Sequence, residues 1–514
     1  MAMHRREGGR SHAGLPYTRR WFSADPPGMD DRTIERSSTS GSDSVAASRA
    51  EQYDLVCIGS GPAGEKAALL AASALTRLAL VEREPRPGGA LVNTGTLASK
   101  VLRETALLCS AFRRRPVPGI DFALDRAISL PRFMARKTLV QIEEHDRIER
   151  SIDRHAIDVL RGTGRFAGDH LLEVVRPDRT STHLRCDFAL VAPGSRPHRP
   201  GNVDFAHPAI VDCEGILQLD RMPHSLVVVG GGVIGSEYAE MGVEVTIIEP
   251  RDALMPFLDR EVREVLVGRM RELGIEILFN AAPETVAGRP DGSGFVRLKD
   301  GREIEGTNVL WSLGRVGNTD ALALDTVGLQ PDARGLLKVD PTYRTSVDWI
   351  FAAGDVIGFP ALASTSLEQG RIAASTMFGL PYKEKLAATV PIGIYTIPSV
   401  AAVGLTEEEA RTKGIDVVVG RARYRNNPRG RMLGDDQGLC KMVFDASDRR
   451  LLGASIIGED ATEQIHVAQA AMAFNAPVDF FLEMCFNYPS LGELIQYAAL
   501  DAAETFAVRA RRTA

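Results

Sequence analysis

The sequence predicts an α/β protein with two doubly wound, parallel-sheet units and a C-terminal α+β domain. Three observations carry this reading. Two glycine-rich turns, one at residues 59–64 and one at residues 230–235, each follow a short apolar strand. Each leads through a helical stretch to a second apolar strand that ends on a glutamate. From about Thr389 onward, strands and helices alternate in a different order, which marks a separate domain.

In the first unit, Tyr53-Asp54-Leu55-Val56-Cys57-Ile58 reads as a buried parallel strand. It runs into Gly59-Ser60-Gly61-Pro62-Ala63-Gly64, then an Ala-rich helix from Glu65, then the strand Leu78-Ala79-Leu80-Val81 ending on Glu82. In that context each glycine has a task. Gly59 permits the tight turn, Gly61 lets backbone approach a pyrophosphate, and Gly64 lets the helix approach the sheet. The helix N-terminus faces the phosphates with its positive end, and Glu82 is placed to accept from a ribose diol. This is a Rossmann-like dinucleotide unit, and these residues alone admit either FAD or NAD as ligand.

The chain then enters Pro87-Gly88-Gly89-Ala90-Leu91-Val92-Asn93-Thr94-Gly95-Thr96-Leu97-Ala98-Ser99-Lys100, which opens a long helix. Gly88 and Gly89 let backbone come close to a large flat ligand, and Lys100 brings one cation near it. Leu190 to Pro197, with Gly194, ends a strand and leaves the first unit.

The second unit repeats the pattern: strand Ser225 to Val229, turn Gly230-Gly231-Gly232-Val233-Ile234-Gly235, strand Val245 to Ile248, and then Glu249. Two such units imply two dinucleotides, one held and one exchanging. The span from Gly230 to Glu249 is four residues shorter than that from Gly59 to Glu82. The loss is placed in the helix near Glu240 and Met241, and about 6 Å of helix goes with it. Glu249 accepts from a 2′-hydroxyl and repels a 2′-phosphate, which points to NAD(H). Arg251 is a partner for that phosphate and keeps NADP(H) admissible. Further on, Trp349 to Val356 is an apolar strand ending on Gly354-Asp355, with a helix expected over Gly358 to Ala374.

These segments together resemble the two-dinucleotide flavoprotein reductases, the family of glutathione reductase and lipoamide dehydrogenase. The likeness rests on the two turns, on residues 87–100, and on the crossovers near Gly194 and Gly314. Gly354-Asp355 and Phe486-Asn487-Tyr488-Pro489 add to it. Within the family, the residues look most like the soluble, Si-face-specific pyridine nucleotide transhydrogenase branch, over about Gln52 to Ala503. The resemblance implies FAD held by the first unit and NAD(H) or NADP(H) as substrates. The implied cofactor contacts are Gly59, Gly61, Gly64, Glu82, Arg83, Gly88, Gly89, Thr96, Lys100, Gly194 and Asp355 in the first unit, and Gly230, Gly232, Gly235, Glu249 and Gly314 in the second. It also implies that Glu237 pairs with Lys100 near the reactive ring, and these two are the expected catalytic residues.

The family's disulfide positions are Leu91 and Thr96 here, and its acid–base His is Tyr488, with Glu493 kept. Tyr titrates near 10, so it does not replace a His at neutral pH. Losing both cysteines and the His together is coherent, because thiol chemistry needs all three. The implied reaction is therefore hydride transfer between NADPH and NAD+, ping-pong through the flavin, without a metal. The rivals are an NAD(P)H diaphorase or quinone reductase and a non-catalytic flavoprotein scaffold. The branch usually keeps the first cysteine, has Pro at position 98 rather than Ala98, and lacks the four-residue shortening.

Composition bounds the rest. The 514 residues are 44% apolar and 25% charged, with a net charge of −6, which argues against a general nucleic-acid binder. Six scattered cysteines without a Cys-x-x-Cys pair fit a reducing cytoplasm rather than a disulfide or zinc framework. No apolar run is long enough to cross a membrane. Residues 1–50, rich in Arg, Ser and Gly, read as a disordered tail. The expected organisation is residues 51–198 and 319–388 as the FAD unit, 199–318 as the NAD(P) unit, and 389–510 as a dimerisation domain that forms a homodimer.

Overall fold

The structure is a computed structural model that describes residues 50–74, 76–114, 130–239 and 244–513. The expected tail of residues 1–50, save its last residue, lies outside these. So does the point near Glu240 and Met241 at which the second helix is shortened.

The first sheet places strands β1 (Glu51–Ile58) and β2 (Leu78–Glu82) side by side in parallel. Helix α1 (Pro62–Ala71) joins them. It starts at Pro62 rather than at the expected Glu65, because Pro suits the first helical position, where an N–H has no intrahelical partner. The short helix α2 (Gly89–Val92) and the long helices α3 (Thr96–Arg114) and α4 (Leu130–Arg154) follow. Strands β3 (Asp158–Arg161), β4 (Thr163–Gly168), β5 (Leu171–Val175) and β6 (Ser181–Val191) complete the order β3-β2-β1-β6-β5-β4. Leu55, Val56, Cys57, Leu80 and Leu190 are fully buried, because helices cover one face and the β4–β5 hairpin with its loops the other.

The chain leaves through β7 (Ser195–Pro197) and builds an all-parallel second sheet, β11-β10-β9-β15-β8. Its strands are β8 (Ile210–Asp212), β9 (Ser225–Val229), β10 (Glu244–Glu249), β11 (Glu276–Phe279) and β15 (Asn308–Trp311). Helix α5 (Val233–Ala239) follows the second glycine turn, and α6 (Arg260–Glu272) follows β10. An antiparallel ribbon of β12 (Pro283–Gly288), β13 (Gly294–Leu298) and β14 (Glu303–Gly306) flanks this sheet. Strand β16 (Arg315–Gly317) pairs antiparallel with β7, so the outgoing and returning chains are stitched together.

On its return the chain adds β17 (Ile350–Ala352) beside β6. This strand is shorter than the expected run from Trp349 to Val356, because Gly354 turns the chain with φ of 85°. The next helix, α7, spans Ala363–Phe378 rather than starting at Gly358. Positive φ at Gly358 and Ala361 excludes helix there. The last domain is a five-stranded antiparallel sheet, order β18-β19-β22-β21-β20. Its strands are β18 (Ile392–Ile394), β19 (Ser399–Gly404), β20 (Val417–Arg423), β21 (Leu439–Asp445) and β22 (Leu451–Gly458). Helix α8 (Glu407–Thr412) is capped by Thr406 in a reciprocal capping box with Glu409. Among the described residues, no helix is long and apolar enough to cross a membrane, and no group of three or more His, Cys, Asp or Glu gathers to hold a metal.

A buried ionic cluster joins this domain to the second nucleotide unit. Lys441 on β21 is 1% exposed. Its ammonium lies 2.7 Å from Asp259 Oδ2, 2.7 Å from Glu261 Oε1 and 2.8 Å from Glu407 Oε2. The Asp259 contact is an ion pair rather than an aligned hydrogen bond, and Asp259 uses its other oxygen to cap α6. The Arg421 guanidinium and the Lys441 ammonium hold the Glu261 carboxyl down at about 2. Burial works in the other direction on Asp259 and raises it. Removing one partner of such a cluster leaves an uncompensated buried charge. Lys441→Met should therefore cost about 3–5 kcal/mol in urea unfolding. The Glu261 contribution is fully present above its unfolded value of 4.5 and is lost as pH falls toward about 2. Acid titration followed by circular dichroism should show Glu261→Gln less sensitive than the parent in that window.

Candidate functional site

A cleft of about 440 Å³ runs along the C-terminal ends of β1, β2 and β17. Gly59, Gly61, Glu82, Arg83, Gly89, Leu91, Thr96, Gly194 and Asp355 are among its lining residues. Eight of the expected contacts, Thr96 among them, therefore meet in one place, drawn from all over the first unit. The geometry of the turn explains why. A Cβ on Gly64 would sit 1.9 Å from the Gly59 carbonyl oxygen, so only glycine allows α1 to start this close to β1. The same contact recurs in the second turn, where a Cβ on Gly235 would sit 2.0 Å from the Gly230 oxygen. No side chain caps α1, so its first amides stay available to a phosphate.

The strand-end acids are held by the turns they face. Glu82 Oε2 accepts from the Ser60 N–H at 3.0 Å and from the Ser60 hydroxyl, and Oε1 accepts from the Glu84 N–H at 2.8 Å. Glu249 is held more tightly. Its Oε2 accepts from the Gly231 N–H and from Arg251 Nη2, both at 2.9 Å, and its Oε1 from the N–H and Nε of Arg251, at 2.9 and 2.7 Å. Burial opposes its charge, yet the Arg251 bonds win and the carboxyl is lowered. The acid is 1% exposed while the Arg251 side chain is 49% exposed, so it is the guanidinium that meets solvent beside the second turn.

Asp355 is positioned from both crossovers. Ser195 Oγ donates to Asp355 Oδ2 at 2.7 Å, and Arg315 donates through Nε to Ser195 Oγ and through Nη2 to the Ser195 carbonyl, each at 2.7 Å. Gln369 on α7 accepts from the Gly354 N–H at 2.8 Å and so fixes the turn that carries Asp355. The turn between Leu91 and Thr96 is held from α4. Gln141 donates to the carbonyls of Val92 and Asn93, and His145 Nε2 lies 2.7 Å from Asn93 Oδ1.

Lys100 and Glu237 do not line the cleft. They meet one helical turn beyond Thr96, Nζ to Oε2 at 2.7 Å, with the carboxylate 7% exposed. Glu237 Oε1 accepts from the Tyr395 N–H at 2.8 Å. Gly64, Gly88, Gly230, Gly232, Gly235, Glu249 and Gly314 also lie off the cleft lining. Gly64 and Gly235 act in turn geometry, and Gly88 donates its N–H to Ser60. Sequence reasoning missed Ser60, Ser195, His145 and Tyr395. Ser60, the residue between two motif glycines, carried a local signal; Tyr395 is 158 positions from Glu237 and carried none.

The comparisons match this geometry. Residues 53–370 match the family model described as pyridine nucleotide-disulphide oxidoreductase. Residues 390–499 match the dimerisation domain of the same family. The chain belongs to this family. It is 41% identical over 456 residues to the soluble pyridine nucleotide transhydrogenase of Mycobacterium bovis (strain BCG / Pasteur 1173P2), covering 88% of this chain and 97% of that protein. The Marinomonas sp. (strain MWYL1) protein of the same name is 37% identical, covering 87% and 98%. Among solved structures, LpdA of Mycobacterium tuberculosis superposes with a TM-score of 0.80 at 28% identity, covering 88% of this chain and 99% of that one. The HOCl-induced flavoprotein disulfide reductase RclA of Escherichia coli gives 0.78 at 27%, covering 87% and 99%.

Membership brings the Lys100–Glu237 pair to the fore, because it ties two nucleotide units of this family member together. Glu237→Leu leaves an ammonium and a backbone N–H without their acceptor and should cost about 2–4 kcal/mol. Glu237→Gln keeps one acceptor and should cost about half of that, both read from urea midpoints.

Proposed function

We propose that this chain is an FAD-dependent pyridine nucleotide transhydrogenase that passes hydride between NADPH and NAD+ in a ping-pong cycle. The observation that carries the reading is chemical. At the two positions that open onto the cleft where the family has its redox disulfide stand Leu91 and Thr96, and no cysteine is among the lining residues. Among the described residues, Cys57, Cys186, Cys213 and Cys440 are buried, and Cys485 lies in the last domain. Electrons that arrive in the cleft meet no thiol among its lining residues, which favours a second nicotinamide as the acceptor. The names of the relatives support the same activity.

A bound FAD supplies the hydride acceptor and donor of this reaction. The residues of the chain supply its place. The α1 amides and Gly61 suit the pyrophosphate, Glu82 and Arg83 the adenosine end, and Asp355, steadied by Ser195, the ribityl chain. Gly230, Gly232 and Gly235 form the corresponding turn for the exchanging nucleotide, with Arg251 at the 2′ position. Lys100, paired with Glu237, keeps a fixed charge beside the reacting rings, where pre-placed charge helps most. The last domain fits a homodimer interface, and the relatives' name, soluble pyridine nucleotide transhydrogenase, supports a cytoplasmic enzyme.

Purified protein given NADPH and thio-NAD+ should form reduced thio-NAD at a rate that tracks its flavin content. Bound, reducible flavin with no transfer overturns the assignment, and faster transfer to quinones than to NAD(P)+ assigns a diaphorase instead. Glu249→Ser frees Arg251 and removes a negative charge. It should raise affinity for NADPH relative to NADH by about tenfold, a difference of about 1.4 kcal/mol. An unchanged ratio of dissociation constants would mean that the Glu249–Arg251 pair does not meet the ribose.

A further inference from the structure

The contact that links Glu237 to the last domain has a second half. Tyr395 follows β18 and turns its ring toward α3, so that Lys100 Nζ lies 5.0 Å from the ring centroid. The same residue donates its backbone N–H to Glu237 Oε1 at 2.8 Å, while Glu237 Oε2 takes the ammonium at 2.7 Å. One residue of the C-terminal domain therefore touches both members of the pair, the anion through its amide and the cation through its π face. The neighbouring residue repeats the attachment. Arg103, one turn along α3 from Lys100, donates through Nε and Nη2 to the Thr396 carbonyl at 3.1 and 3.0 Å. The loop is thus fixed against α3 at two successive positions.

The physical consequence concerns the cation. Lys100 has a long, flexible side chain that is 25% exposed, and a carboxylate alone fixes only one of its N–H directions. A further neighbour, Ser99 Oγ, is at 3.4 Å and adds little restraint. An aromatic face on a further side narrows where the ammonium can sit, and it does so without supplying a competing negative charge that would draw the cation away.

The geometry points to Tyr395 as a positioning residue for hydride transfer. Its ring holds the Lys100 ammonium one helical turn beyond the cleft-lining Thr96, so the last domain completes the site of its own chain as well as serving association. This rests on the reading of Lys100 proposed above. Tyr395 touches no reacting atom and acts through Lys100.

The test uses the flavin-loaded enzyme. Tyr395→Leu removes the ring and keeps the amide, Tyr395→Met fills similar space without a π face, and Tyr395→Phe keeps the ring. Stopped-flow bleaching by NADH gives the limiting rate and the half-saturating NADH concentration separately. The absorption band of bound flavin in the resting enzyme gives a readout independent of turnover. The expected result is a limiting rate about 5–10-fold lower in the Leu and Met variants, the size of a partly desolvated cation–π contact. Half-saturation should stay within about twofold, the resting flavin band should shift, and Tyr395→Phe should restore both rate and band. Combined with Lys100→Met, the Tyr395→Leu change should have no further effect on rate, because both act through one ammonium.

Three outcomes overturn the inference. These are a wild-type rate and band in the Leu and Met variants, a Phe variant as slow as Leu, or loss of fold in both Leu and Met while Phe stays intact. Failure of the functional reading looks different: wild-type protein would then bind reducible flavin yet transfer no hydride to thio-NAD+.

Discussion

The site depends on where one carboxylate is held. Glu237 sits on a seven-residue helix of the second nucleotide unit, yet its two oxygens bind a lysine of the first unit and a backbone amide of the last domain. A buried carboxylate is costly unless both oxygens find donors, so the three parts must meet for it to be tolerated. That requirement turns a desolvation penalty into a geometric constraint. The long helix that starts at the cleft, the second glycine turn and the strand order of the last domain all have to agree at this point. The Lys441 cluster acts in the same sense some distance away. It carries the N-terminus of α6 on the C-terminal sheet and fixes the second unit at another point.

The two nucleotide units solve one problem twice and then diverge. In both, a glycine turn lets a helix start against a strand, and a strand-end glutamate accepts from the turn's own amide. The first acid is braced by a serine hydroxyl and opens onto a deep cleft. The second is closed over by an arginine two residues downstream. The first arrangement suits a group that stays bound. The second places a half-exposed arginine, hydrogen-bonded to the acid, beside the turn. At the family's disulfide positions an apolar Leu91 and a Thr96 line the cleft, and no thiol is among the lining residues.

Much of this was legible as sequence because it is local. A turn, its helix and its strand-end acid lie within about twenty residues, and Gly64 and Gly235 are each demanded by the carbonyl oxygen of the first glycine of their own turn. The boundaries that reading misplaced were also local, but they depended on torsions. Positive φ at Gly358 and Ala361 delays α7, and Pro62 starts α1 early. Arg251 was visible as a phosphate partner, but its fork onto Glu249 was not, because spacing does not tell whether a side chain turns back toward its own strand.

The sequence by itself determined the number of nucleotide units, their order, the glutamate at each strand end and the absence of thiols at positions 91 and 96. All of these follow from residue type and short-range spacing. Only the tertiary structure decided that Asp355 is steadied by Ser195 and Arg315 across two crossover strands. It also decided that Lys100 is enclosed by a carboxylate from one domain and an aromatic ring from another. Contacts between residues more than a hundred positions apart are set by how whole sheets and helices pack against one another. That packing is a property of the folded chain that no window of sequence contains.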